Sequence, residues 1–284
     1  MATASVPVRV ISPRRRGAVE SVREAWRHRH LVPFFGRRFV EKQYLRTWLG
    51  WVWIPLRPVL DVGARMFVFG GLFGASSEGV PYSIYLLIGM STWELFERTA
   101  YWATRSLEVN RRFIRRIYVP RLTVLVSAIF PGLVNYAIYI VLAVITLVVV
   151  WIAQGTLYLE LGPDTLLFIP GMALLLALAL SVGLWLSVYG AQARDVRFSL
   201  TYVTTFWFFV TPIVLPLSKI PDKYRTIVEL NPLTAPIMMV KQGLLGTQAV
   251  PALSVVSAIV AIIVVGGGGL WFFSRSEDMA VDSL

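Results

Sequence analysis

Residues 122–159 contain no Asp, Glu, Lys or Arg. That tract is longer than the roughly 20 apolar residues that cross a bilayer as a helix. No other feature of the sequence narrows the fold as much, because hydrocarbon leaves the backbone no partner but itself. The rest of the chain agrees. It is 56% hydrophobic and 15% charged, where soluble domains carry about a quarter charged residues, and its mean hydropathy is +0.66. These values identify an all-α polytopic membrane protein. Cysteine is absent, which excludes disulfides, thiolate metal sites and cysteine nucleophiles. The net charge of +11 lies in segments that flank apolar runs, so the positive-inside rule accounts for it and nucleic acid is not an expected partner.

Taken in order, the pattern predicts six membrane spans with both termini on the basic, cytoplasmic side. Residues 1–17 are Pro- and Arg-rich and are expected to be disordered; no cleavable leader is expected. Residues 18–30 form an amphipathic interfacial helix, with Val19, Val22, Ala25 and Trp26 on one side and Glu20, Arg23, Glu24 and Arg27 on the other. Pro33 is expected to break it. This helix is either a lipid anchor or a gate. Residues 1–46 thus form a cytoplasmic region and 47–284 a transmembrane domain. The spans are expected within 48–74, 82–104, 122–152, 165–191, 198–217 and 252–273. The run Gly266–Gly269 permits close approach of a neighbouring helix in the last of them.

Two spans carry charges. Arg57, Asp61 and Arg65 follow one another at i, i+4 and i+8 in the first, and Glu94, Glu97 and Arg98 lie in the second. Folding these spans as a hairpin about residue 78 brings Arg57 level with Glu97 and Arg98, and Asp61 level with Glu94 and Arg98. An intramembrane ion network joining the spans is the expectation, either for structural pairing or for substrate contact. Residues 218–250 are too broken to cross simply and too apolar to be a free loop. Two short helices, 224–230 and 235–245, with Asn231-Pro232 between them, predict a re-entrant hairpin on the outer face.

Between the second and third spans lies the island RSLEVNRRFIRRIYVPR, residues 105–121. On a helix, Leu107, Val109, Phe113, Ile114, Ile117 and Tyr118 fill one arc and Arg111, Arg112, Arg115 and Arg116 the other, with Pro120 as the stop. It reads either as a loop whose arginines meet anionic lipid or as a docking helix for a cytoplasmic partner. No phosphate-binding loop, zinc-protease helix or nucleophile elbow is present, and no metal site is expected at His28 and His30. Active transport therefore needs another chain's energy or an ion gradient, for which Asp61, Glu94 and Glu97 are the available acids.

Several motifs together resemble the ABC-2 type permeases, above all those that export lipid-linked polysaccharides such as O-antigen, teichoic acid or galactan. WLGWVWIPLRPVL (48–60) is similar to that family's LGxxWxxxxP opening. LLIGMSTWELF (86–96) and NRRFIRRIYVPR (110–121) resemble its second span and coupling helix. ARDVRFSLTYVTTFWFFVTPIVLPLSKIP (193–221), followed by ELNPLTAPIMMVKQ (229–242), resembles its RD turn, aromatic fifth span and NP segment. The charges Glu94, Glu97 and Arg98 depart from the uncharged, amide-rich stretch common there.

The resemblance implies a permease subunit with no catalytic residues, metal or cofactor of its own. Two copies would form a channel in the bacterial inner membrane, joined to two ATPase subunits that bind ATP and Mg²⁺. Asn110, Arg111, Arg112, Phe113, Ile114, Arg115 and Arg116 would contact the ATPase, with the apolar arc inserted into its groove. Arg23, Arg27 and His30 on a gate helix would meet the pyrophosphate of a polyprenyl-linked glycan. Trp51, Trp53, Tyr202, Phe206 and Trp207 would offer stacking surfaces for sugars. An ABC-2 exporter of a drug or lipid, and an ion-coupled carrier without an ATPase, are the other readings.

Overall fold

The computed structural model describes residues 17–44, 52–75, 77–116, 118–160, 162–193 and 195–282. Residues 1–16, Trp51 and Ile117 lie outside them, so the expectations placed there stand untouched. The described residues are helical, with no strand among them.

Two short helices open the chain, α1 (Ala18–Arg27) and α2 (Val32–Tyr44), joined by a 3-10 turn. Pro33 does not end helical structure as expected. It falls in the first turn of α2, where a missing N–H costs nothing. α2 then buries Phe35 and Phe39, one turn apart. A helical rod follows, α3 (Trp53–Arg65), extended by a π-helical stretch Met66–Leu72. A short turn leads into α4 (Tyr82–Thr104), which continues almost directly into α5 (Ser106–Ile114). Next come α6 (Arg121–Val126) and α7 (Ile129–Gln154), then α8 (Phe168–Gln192) and α9 (Asp195–Val210). The pair α10 (Asp222–Leu230) and α11 (Thr234–Leu245) matches the two short helices expected around Asn231. The chain ends in α12 (Ala252–Ala261), a π-helical turn Ile262–Gly266 and α13 (Gly267–Asp282).

α4 is the axis of the fold. It packs along α7 and α8, and its residues from Ile84 to Thr104 are mostly buried. Close approach makes this possible: a Cβ at Gly183 of α8 would lie 2.3 Å from that of Ala103. The main core joins α4, α7, α8 and α11 through Leu86, Leu95, Phe96, Tyr139, Leu175 and Ile237. A second core, at the end of the bundle carrying α5, joins Phe35, Phe39, Trp102, Leu107, Leu125, Val188 and Phe273. The close approach expected at the four glycines occurs against α8. A Cβ at Gly269 would lie 2.9 Å from the Trp185 ring, and the Trp185 indole donates to the Val265 carbonyl at 2.8 Å.

Three helical runs are long and apolar enough to cross a membrane: Arg121–Gln154, Pro163–Gly190 and Ala252–Ser276, with mean hydropathies of 2.7, 2.3 and 2.4 over their most apolar stretches. Val141, Val144, Ile145, Val148, Val149 and Ile152 of α7 stand exposed, as a lipid-facing surface requires. The other three expected spans fall short of that mark. α3 and α4 carry three charges each. α9 has 16 residues, about 24 Å at 1.5 Å per residue against roughly 30 Å of hydrocarbon.

α9 was expected to run to residue 217 and stops at Val210, because Pro212 lacks an N–H and restricts the residue before it. The freed backbone is satisfied locally. The Asn231 amide donates to the Val210 carbonyl at 3.4 Å and to Thr211 Oγ1 at 2.9 Å. Lys241 Nζ, on α11, donates to the carbonyls of Pro212 at 2.9 Å and Ile213 at 2.8 Å. Lys241 is fully buried, with the Tyr85 ring 3.5 Å from its ammonium. The far-end connections are tied together as well: Glu78, at φ 54°, accepts from Ser218 Oγ at 2.7 Å and from the Gln248 N–H at 3.0 Å.

Candidate functional site

α5 forms where the sequence places it, but it is shorter than the periodicity of the island suggests. Glu108 lies in its first turn and Arg111 and Arg112 in its last, each complementing the helix dipole. Ser106, Leu107, Val109 and Asn110 face the core. The helix ends at Ile114 instead of at Pro120. Proline forces Val119 out of helical geometry, and Tyr118 turns outward to donate to Glu24 Oε1 of α1 at 2.5 Å.

The two arcs of α5 have different fates. Arg111, Arg112, Arg115 and Arg116 are exposed. Phe113 is instead clasped by α2, with its ring edge-on to Phe34 at 6.1 Å and Phe35 at 6.5 Å. The Arg38 guanidinium sits 3.9 Å from the ring centroid. Burial, and then the neighbouring Arg112, pull the Arg38 guanidinium below its ordinary value, yet it stays charged at any physiological pH. Asn110, expected at the partner contact, is wholly buried and donates back to the Ser106 carbonyl at 3.1 Å. It cannot touch a partner while the helix keeps its seat. Glu108 accepts from Arg105 at 3.3 Å and from Arg197 of α9 at 2.8 Å, so α5 is tied to α9 as well as to α2.

On α1, Arg23 and Arg27 are exposed and share a face at i, i+4; His30, in the turn after it, is exposed too. Trp26 is 70% exposed, and the Arg29 guanidinium lies 5.3 Å from its ring. The helix rests on α6 and α13. Sequence reasoning missed the seat that α2 makes for α5. The signal was present in Phe35 and Phe39, four residues apart beside a buried Gly36.

The charges of α3 and α4 do converge, though among the described residues they do not form a single network. A cavity of about 680 Å³ opens among α2, α3, α4 and α7, and Arg57, Asp61, Glu94 and Arg98 all line it. The ion pairs that form stay within each helix: Arg98 to Glu94 at 3.0 Å and Arg57 to Asp61 at 3.8 Å. Arg65 donates to the Asp61 carbonyl at 3.2 Å and lies 4.8 Å from the Phe208 ring. Glu97 points elsewhere, accepting from Trp93 at 3.1 Å and from Thr204 of α9 at 3.3 Å. A charge placed mid-bilayer toward lipid costs roughly 2.5–3.5 kcal/mol on insertion scales. A polar cavity and intrahelical pairs avoid that cost.

Of the expected sugar-stacking aromatics, Trp53 lines this cavity and is 45% exposed. Tyr202 and Phe206 stand exposed with Phe198 and Phe209 along one face of α9. Trp207 does not join them. It turns inward, packs edge-on against Phe96 at 5.6 Å and donates its indole N–H to Asn231 at 2.8 Å. Lys241 was missed as a structural centre, although a lone lysine within the apolar run 235–245 marks it.

The sequence matches the family model "ABC-2 type transporter" over residues 37–245. Among characterised proteins, the chain is 24% identical to the O-antigen export system permease protein RfbA of Myxococcus xanthus over 92% of this chain and 98% of that one. It is 23% identical to the polysialic acid transport protein KpsM of Escherichia coli, over 73% of this chain and 78% of the relative. It is 22% identical to the RfbA permease of Klebsiella pneumoniae, over 69% and 73%. The family match runs unbroken from α2 through the basic helix, the charged cavity and the α10–α11 hairpin, so this membrane protein belongs to the ABC-2 type transporter family.

Proposed function

We propose that the chain is the permease subunit of an ATP-driven exporter that moves a polyprenyl-diphosphate-linked polysaccharide across the bacterial inner membrane. Two copies enclose the channel, and two ATPase subunits, which hold ATP and Mg²⁺, dock on the cytoplasmic side. The observation that carries this reading is α5, a short helix in which Arg111 and Arg112, followed by Arg115 and Arg116 just past its end, face outward while its other face is fixed to α2, α4 and α9. Such a helix transmits a push from outside the membrane to the cytoplasmic α2 and, through α4 and α9, to two spans. The relatives named for O-antigen export and polysialic acid transport support polysaccharide as the cargo.

In this reading the chain spans six times with both termini cytoplasmic. α3 with its π-helical extension, α4, α6–α7, α8, α9 with the segment after it, and α12–α13 are the spans. Arg57, Asp61, Glu94 and Arg98 are compatible with this because they line a cavity, while Glu97 is held by Trp93 and Thr204 and Arg65 by the Asp61 carbonyl. Residues 1–46 form the cytoplasmic part, and α1 is a gate at the membrane surface where Arg23, Arg27 and His30 meet the diphosphate. The exposed faces of Trp53, Tyr202 and Phe206 guide sugars, and the α10–α11 hairpin re-enters from outside to close the exit. Depleting the protein from its native cell should make lipid-linked glycan accumulate on the cytoplasmic side. A cell that accumulates none, and a purified chain that brings down no ATPase, would overturn the proposal.

A further inference from the structure

The cavity among α2, α3, α4 and α7 has a polarity of its own. Four cations line it, Lys42, Arg57, Arg98 and Arg105, against two acids, Asp61 and Glu94. They are not mixed at random. Arg57 precedes Asp61 by one turn on α3, and on α4, which runs the other way, Arg105 lies three turns nearer the basic end than Glu94. Both helices therefore present cations at the mouth and a carboxylate toward the floor. At 1.5 Å per residue the gradient from Arg105 to Glu94 extends about 16 Å.

At Arg57 and Arg105 the positive charge is only partly met by acids among the described residues. Glu108 is shared between Arg105 and Arg197, and the Arg57 contact to Asp61 is long at 3.8 Å. Trp102, 5% exposed, lines the same cavity, and its indole N–H is buried without an acceptor among the described residues. Guanidinium forks and an indole N–H are donors only, and the planar fork matches the oxygens of a phosphate. At the floor, two carboxylates accept hydrogen bonds, with Asn135 and Tyr139 beside them, a set suited to hydroxyl groups. The volume lies within the range of small-molecule sites.

We infer that this cavity binds a phosphate ester flanked by hydroxyls, with the phosphate at Arg57, Arg105 and the Trp102 N–H and the hydroxyl-bearing group against Asp61 and Glu94. The gate residues Arg23, Arg27 and His30 are not part of its lining. Two molecules carry that chemistry, the first sugar of a lipid-linked glycan with its diphosphate and the headgroup of an anionic phospholipid. The first source rests on the export reading above; the second does not.

The test uses the full chain in phosphatidylcholine nanodiscs, with binding measured for farnesyl diphosphate linked to one N-acetylglucosamine, for farnesyl diphosphate and for farnesol. Arg57→Gln with Arg105→Gln should weaken both diphosphates by about tenfold or more and leave farnesol unchanged. Asp61→Asn with Glu94→Gln, isosteric and so safer for folding, should weaken only the sugar-bearing probe. Thermal unfolding of each variant shows that it is folded. Competition by phosphatidylglycerol in the disc assigns the site to a lipid headgroup, and its absence assigns it to cargo. Diphosphate binding that survives the arginine double variant, or farnesol binding as tight as that of the diphosphates, overturns the site. No ATPase takes part, so failure here leaves the export reading standing, and loss of ATPase docking would leave the phosphate site standing.

Discussion

Lys241 shows how one side chain fixes the far end of the molecule. Its ammonium, fully buried, serves the carbonyls of Pro212 and Ile213 just past the end of α9, and it lies over the Tyr85 ring of α4. Three elements meet at one charge. Lys241→Met keeps the stem but strands both carbonyls, at roughly 1–3 kcal/mol for each unsatisfied buried group. Chemical denaturation in detergent should record a loss of about 2–6 kcal/mol. Gly89→Ala should be destabilising for a related reason, because the new Cβ would lie 2.8 Å from Lys241 Cε and 3.0 Å from the Ile213 carbonyl. At this scale the sequence was partly readable. Trp207 was grouped with Tyr202 and Phe206 as aromatic, but five residues rotate a helix by about 140° from Tyr202 while four rotate it by only about 40°. The same arithmetic puts Trp207 on the inner side. Lys241 was harder, because its partners are main-chain carbonyls in a segment whose unwinding is visible only in three dimensions.

Among the elements, α5 is distinctive for its ties. Phe113 fastens it to α2, and Glu108 fastens it to α9 across Arg105 and Arg197. Glu108→Gln leaves those two guanidiniums, both under a quarter exposed, without their shared carboxylate. Charge-assisted hydrogen bonds contribute about 1.5–3 kcal/mol each, so the unfolding midpoint should fall. In the assembled transporter, ATP hydrolysis should continue while export drops, since the helix would move without carrying α9. Unchanged export in this variant would show that the tie is only structural. The elements best read from sequence were those whose apolar runs end at Pro or Gly, as α7 and α8 do. α2 was lost because Pro33 was taken as a stop although a first-turn proline is tolerated. The island was read too long because its periodicity continues past Ile114, where α5 ends with Arg115 as its C-cap. It also made Phe113 an outward contact, whereas the α2 groove that holds it is assembled from residues distant in the chain.

For the whole molecule, one axial helix with two large cores organises a bundle in which three runs are long and apolar enough to cross a membrane. The remaining crossings are part of the proposal, and the cysteine-free sequence makes them easy to test. Thr156→Cys lies in the connection after α7 and Arg116→Cys beyond α5, both at exposed positions. In intact spheroplasts a membrane-impermeant maleimide should label the first and spare the second until the membrane is opened. The family relationship was legible because its motifs recur in order along nearly the whole chain. The cavity was legible only as levels of charge on two expected spans, because its walls also come from α2 and α7.

The most direct test asks whether the outward arginines in and just after α5 hold an ATPase. Arg111, Arg112, Arg115 and Arg116 are all replaced by Glu, and the ATPase that co-purifies with the permease is measured against the unaltered chain. The seated face of the helix is untouched, and the lost dipole complement at Arg111 and Arg112 is worth only about 0.3–1 kcal/mol each, so the variant should still fold, with at most a small drop in its unfolding midpoint, and lose the ATPase. A folded variant that still retains its ATPase in full would contradict the assignment of α5 as the coupling helix.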